Sequence, residues 1–114
     1  MYQGEYEEGI KSGYGIYIWP NGNSYAGDWE KNEISGRGIY IWGEERFYNG
    51  NWLKNQMSGA GIYRWLDGRL YSGEYKNDKK NGFGIYQWAD GRAYIGEWNM
   101  GEYDQTRTYV LPNG

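Results

Sequence analysis

"GAGIYRWLDGRLYSGEY", residues 59–75, interleaves the strongest strand formers, Ile, Tyr and Trp, with glycines that normally weaken a strand. Alternation with period two puts Gly59, Gly61, Tyr63 and Trp65 on one face of one strand. Tyr71, Gly73 and Tyr75 share a face of the next. Asp67-Gly68 between them is a turn signal. A bare Cα on such a face is a place where a neighbouring ring can lie flat, and it also lets the sheet bend sharply.

The stretch is one part of a repeat. Tyr2, Tyr25, Tyr48, Tyr71 and Tyr94 recur every 23 residues, followed at the same interval by Gly4, Gly27, Gly50, Gly73 and Gly96. Tyr6, Trp29, Trp52, Tyr75 and Trp98 follow, as do Tyr17, Tyr40, Tyr63, Tyr86 and Tyr109. Two glycine columns (13, 36, 59, 82 and 15, 38, 61, 84) and one of Trp (19, 42, 65, 88) complete the set, with no insertion or deletion. A fixed period in this range marks a repeat architecture. The copies are 2–24, 25–47, 48–70, 71–93 and a degenerate 94–114, all within one domain.

Each copy reads as two strands. The first is typified by Tyr25 to Trp29 and the second by Gly36 to Trp42, joined by the six-residue link "EKNEIS" (30–35). A five-residue turn such as "LDGRL" (66–70) leads on to the next copy. Such links leave no room for a crossover helix, so neighbouring strands are antiparallel. The expected register sets Tyr25 opposite Tyr40, Gly27 opposite Gly38 and Trp29 opposite Gly36. Across the next turn it sets Trp42 opposite Tyr48, Tyr40 opposite Gly50 and Gly38 opposite Trp52. The other face carries Ile16, Ile39, Ile62 and Ile85 among polar residues and is mixed. The expectation is an all-β, single-layer, twisted antiparallel sheet of tandem hairpins, a rod of roughly 45 Å at about 4.8 Å per strand.

Composition narrows the function classes. The 114 residues carry a net charge of −3, which gives no basic footprint for nucleic acid. There is no Cys and no His, so disulfides, thiol chemistry and most nucleophile–base or transition-metal sites are excluded. Paired carboxylates such as Glu7–Glu8 and Glu44–Glu45 lie in links and turns and read as solvated. The G-x-G pairs lack the third glycine and following helix of a dinucleotide fingerprint. No catalytic residue, metal site or cofactor is assigned. With no membrane-spanning run and no signal-peptide pattern, the chain reads as soluble and cytoplasmic.

The pattern Y-x-G-x-W, then G-x-G-x-Y, resembles the MORN repeat (membrane occupation and recognition nexus) over nearly the whole chain. That resemblance implies an elongated single-layer sheet acting as a scaffold, often in cytoskeletal, ciliary or membrane-junction assemblies. It also implies links in some members to acidic phospholipids. Two departures stand out. Ser12, Ser35, Ser58 and Asn81 occupy positions where many such repeats carry His. In the last copy Gln105, Arg107, Thr108 and Leu111 replace Gly, Gly, Ile and Trp, as expected of a capping repeat.

Two binding readings remain. A one-layer sheet leaves its ring face uncovered, and Tyr, Trp and Arg are enriched at hot spots. A helix or extended segment of a protein partner is expected on the concave ring face at Tyr40, Trp42, Tyr48, Tyr63, Trp65, Tyr71, Tyr86 and Trp88. The alternative is anionic phospholipid held by Lys76, Lys79, Lys80 and Arg92, since residues 48–93 carry a net +3 while 1–47 carry −4. Cages for quaternary ammonium, as in choline-binding modules, rank lower. The strand starting at Tyr2 leaves an open edge, which suits pairing into a homodimer or larger assembly.

Overall fold

In a computed structural model the chain is a ten-stranded antiparallel meander, every strand hydrogen-bonded to its neighbours in chain order. The model describes residues 1–111, the backbone alone from residue 104 onward. The strands are β1 (Tyr2–Glu7), β2 (Ile10–Ile18), β3 (Ser24–Glu30), β4 (Glu33–Trp42), β5 (Arg46–Leu53), β6 (Gln56–Trp65), β7 (Leu70–Lys76), β8 (Lys79–Gln87), β9 (Ala93–Asn99) and β10 (Glu102–Leu111). The described residues form no helix, and the molecule measures 51 × 25 × 17 Å. The long axis matches the expected stack of strands, and the thin one matches a single layer with side chains on both sides.

One face holds the core. Tyr25, Tyr48 and Tyr71 are completely buried, with Trp29, Ile34, Trp52, Met57, Tyr75 and Trp98 packed around them. Complete burial of a ring this size contributes about 1.5–3 kcal/mol. The glycines make that burial possible. A Cβ on Gly38 would collide with the ring of Tyr25, and a Cβ on Gly27 would collide with the Cα of Gly38 across the strand pair. The same holds for Gly61 under Tyr48 and Gly84 under Tyr71. Each ring takes the space of the missing side chain, and its hydroxyl donates to a backbone carbonyl at the far side: Tyr25 to Asp28 at 3.0 Å, Tyr71 to Glu74 at 3.0 Å.

The register departs from expectation in two places. Within a copy, Tyr25 faces Tyr40 and Gly27 faces Gly38, but Trp29 faces Ile34 rather than Gly36. A bulge sets Asp28 against Ser35, Gly36 and Arg37, and Gly36 has φ +112°, a region other residues avoid. The amide this frees, that of Arg37, donates to the Asp28 carboxylate at 3.1 Å. Between copies the pairs are Tyr40 with Tyr48, Gly38 with Gly50 and Gly36 with Trp52, two residues away from those expected. The strands run further into the turn there, leaving a three-residue loop after Trp42. A shift of two preserves side-chain parity, so the faces remain as read.

The six-residue link is also much shorter than expected. Glu30 pairs with Glu33, and only Lys31 and Asn32 turn the chain, both at positive φ (49° and 67°). Lys54–Asn55 and Asn77–Asp78 repeat this two-residue turn. Positive φ at both central positions is the hairpin turn that matches strand twist. Each turn docks on the copy before it. The Asn55 amide donates to the Ile34 carbonyl at 2.8 Å, and the Asn55 Oδ1 accepts from the Ile34 amide at 2.8 Å. Asn32 makes the same pair of bonds with Lys11, and Asp78 with Met57.

In the last copy, Tyr103 faces Trp98 and Thr108 faces Gly96, so its two strands still pair. The side chains of Gln105, Arg107, Thr108 and Leu111, on which the capping reading rests, lie outside the described ones.

Candidate functional site

In the first four copies the second strand runs into a Tyr-x-Trp pair whose rings point to the core face beyond the fully buried tyrosines. Tyr17–Trp19, Tyr40–Trp42 and Tyr63–Trp65 have ring centroids 4.6, 4.5 and 4.5 Å apart. Consecutive copies touch: Trp19 with Tyr40 at 5.2 Å, Trp42 with Tyr63 at 5.4 Å and Trp65 with Tyr86 at 5.8 Å. Tyr86 then meets Trp88 at 5.3 Å. The result is an unbroken chain of eight rings along the rod, all partly exposed except Tyr63. No second layer covers it among the described residues.

This arrangement redistributes the expected contact residues. Tyr40, Trp42, Trp65, Tyr86 and Trp88 stand on the band, half-buried. Tyr63 is on it but nearly buried, at 9% exposure. Tyr48 and Tyr71 are corrected: at 0% exposure they are core pillars with no surface to offer. Each lies over the bare glycine of the adjacent strand, and this buries it. Tyr17 and Trp19 belong to the band and were not singled out from sequence, although the period assigns both.

Cations are laid over the rings. Arg46, Arg69 and Arg92 place their guanidinium carbons 5.1, 4.9 and 5.1 Å from the ring centroids of Trp42, Trp65 and Trp88. Asp67 and Asp90 hold the latter two arginines by ion pairs of 2.8 and 2.9 Å. The Arg69 and Arg92 backbone amides, donating to those carboxylates, lower the pKa of both. Lys80 lies 5.4–5.7 Å from four ring centroids, those of Trp65, Tyr71, Tyr86 and Trp98. Burial among those rings, with Arg69 nearby, lowers its pKa.

The lipid cluster is therefore dispersed. Lys80 turns into the rings and Arg92 pairs with Asp90, leaving Lys76 and Lys79 exposed on either side of one turn. The lysine's position in the repeat (11, 34, 57, 80) escaped sequence reading because Lys, Ile, Met and Lys share no type. The bulge draws this column back opposite Trp29, Trp52 and Tyr75 on the core face, where Ile34 and Met57 are buried.

The opposite face is mixed, as read, with Ile85 partly buried and its other isoleucines open. Ile16, Ile39 and Ile62 are 38–41% exposed, and Ile18 and Ile41 stand beside them.

Comparison with curated proteins returns no match. The family model of the MORN repeat matches residues 2–24, 25–44, 48–68, 71–91 and 94–104. Those segments coincide with the five hairpins, the first four of which set a tyrosine over paired glycines and supply the rings of the band. The chain belongs to the MORN repeat family.

Proposed function

We propose that this chain is a non-catalytic scaffold that holds a segment of a protein partner along its ring face, within a cytoplasmic cytoskeletal, ciliary or membrane-associated assembly. Membership of the MORN repeat family suggests a repeat-protein scaffold. The observation that carries the finer reading is the continuous band from Tyr17 to Trp88, partly exposed except at Tyr63 and uncovered among the described residues. Contiguous apolar surface of this kind marks interaction sites, and rigid aromatic rings provide contact area at low entropic cost. A helix or an extended segment fits a continuous ring band of this kind.

The test separates binding from folding. Trp65→Ala removes a band ring and weakens partner capture more than it lowers stability; Tyr48→Ala removes a core ring and lowers both together. Equal loss of both properties in Trp65→Ala means that the ring is only core. Ile39→Asp probes the opposite face, and loss of capture there moves the site.

The phospholipid alternative retains Lys76 and Lys79. Sedimentation with anionic vesicles at low and physiological salt decides it, and absence of salt-sensitive pelleting removes it. Among the described residues the outer edge of β1 has no neighbouring strand, which supports end-to-end pairing of two copies. Concentration-dependent sedimentation of the chain tests that pairing.

A further inference from the structure

The ring face carries two hollows of similar size and opposite charge. One, about 390 Å³, is lined by Trp19, Tyr40, Trp42 and Trp52, with Asp78 its only charged residue. The next, about 360 Å³, is lined by Tyr63, Trp65 and Tyr75, with Arg46, Lys79 and Lys80 beside Asp78.

We propose that the Trp19–Trp42 hollow is a cation subsite that receives an arginine side chain of the partner segment. This rests on the scaffold reading and adds the chemistry of the partner. Two periodic comparisons within the chain support it. First, the cage around Lys80 consists of Trp65, Tyr71, Tyr86 and Trp98. Two copies earlier the same four ring types recur as Trp19, Tyr25, Tyr40 and Trp52, but the lysine is replaced by Ile34. Ile34 is buried at the base and too short to reach where an ammonium would sit.

Second, three of the four band tryptophans carry an arginine of their own. At Trp19 that position is Asn23, and the aspartate that would hold the arginine is Asn21. Asn23 donates its amide to Asn21 as Arg69 does to Asp67, so the turn is kept while both charges are gone. Among the described residues no cation lies over Trp19. The cage is thus repeated without its cation, beside Asp78, and Trp19, Tyr25 and Tyr40 belong to residues 1–47, whose net charge is −4. Arginine suits it better than lysine because guanidinium is less strongly hydrated and stacks flat on indole.

The test uses the full chain and N-acetyl-Gly-Arg-Gly-amide, with the citrulline tripeptide as the uncharged isostere, followed by the indole N–H resonances of the seven tryptophans. Expected are saturable shifts of Trp19 and Trp42 at millimolar arginine peptide, at least fivefold weaker binding of the citrulline peptide, and no saturable shift of Trp65 or Trp88. Asn23→Arg supplies the missing guanidinium from within, and Ile34→Lys supplies an ammonium as Lys80 does; either abolishes the shifts in a chain that keeps its strand spectrum. Equal binding of the citrulline peptide, no saturable shift, or unchanged binding in a folded Asn23→Arg chain overturns the proposal. A groove that captures an apolar segment yet ignores arginine removes this subsite and leaves the scaffold reading standing. Arginine binding at Trp19 with partner capture insensitive to Trp65→Ala does the reverse.

Discussion

The phenol of Tyr48 lies against the bare Cα of Gly61 and donates its hydroxyl hydrogen to the carbonyl of Asn51, 3.0 Å away. One glycine thus lets one ring be wholly buried in a sheet that no second layer covers among the described residues. Gly61→Ala forces the ring off its seat. Overpacking of this kind costs about 1–3 kcal/mol, and the upper end is expected because the neighbour is a ring held at both ends. Urea unfolding measures it; a change below about 0.5 kcal/mol would mean that the ring has room to move.

The turn at Lys54–Asn55 permits a cleaner dissection. Asn55 sits at φ 67° and its side chain accepts the Ile34 amide. Asn55→Ala loses that bond and places a less tolerant residue at positive φ, a combined cost of about 1–2 kcal/mol. Asn55→Gly loses only the side-chain bonds, that to Ile34 and a longer one donated to Glu33 at 3.4 Å, and should cost less than half as much. Faster hydrogen exchange at Ile34 in both variants locates the effect; equal stability of the two would assign the cost to the bonds alone.

High pH should unfold the array. Burial pushes the Tyr48 phenol up to about 12 and also raises those of Tyr25, Tyr71 and Tyr75. In the unfolded chain a tyrosine titrates near about 10. The folded state therefore holds protons that the unfolded state releases, and the stability these groups contribute is complete below about pH 10 and lost as pH rises toward 12. Denaturant midpoints should fall across that window, with part of the phenolate absorbance appearing only as structure is lost. Ionisation of all fourteen tyrosines without a change in midpoint would contradict it.

Band and core rings should separate in double readouts. Tyr48→Ala costs about 3–5 kcal/mol as a buried aromatic truncation. Trp65→Ala costs less, because its ring is half-exposed and loses fewer contacts. Thermal unfolding beside a partner titration gives both quantities, and equal stability losses in the two variants would place Trp65 in the core.

The faces were readable because alternation needs only parity, so Tyr25, Tyr40 and Trp29 fell on the core side despite a register error of two. The turn at Lys31–Asn32 was not readable by the usual cue, since two non-glycine residues take positive φ there. The bulge at Gly36 hid for a related reason: its glycine column looked like another seat for a ring, while its φ of +112° serves the backbone. From that bulge follow the buried Ile34, the caged Lys80 and the loss of the lipid cluster. Burial of Tyr48 and Tyr71 was beyond a one-strand view, because the glycine that accommodates each ring lies on the neighbouring strand.

The docking of each turn on the preceding copy joins residues 21 apart: Asn32 to Lys11, Asn55 to Ile34, Asp78 to Met57. Excision of residues 48–70 would bring Asp78 to Ile34 at that same separation, whereas loss of any smaller number would leave a donor and an acceptor without mates. The rod can therefore lengthen or shorten only in whole copies, like a ruler cut at its marks, and the distance between whatever it holds at its two ends is set by how many copies the gene counts out.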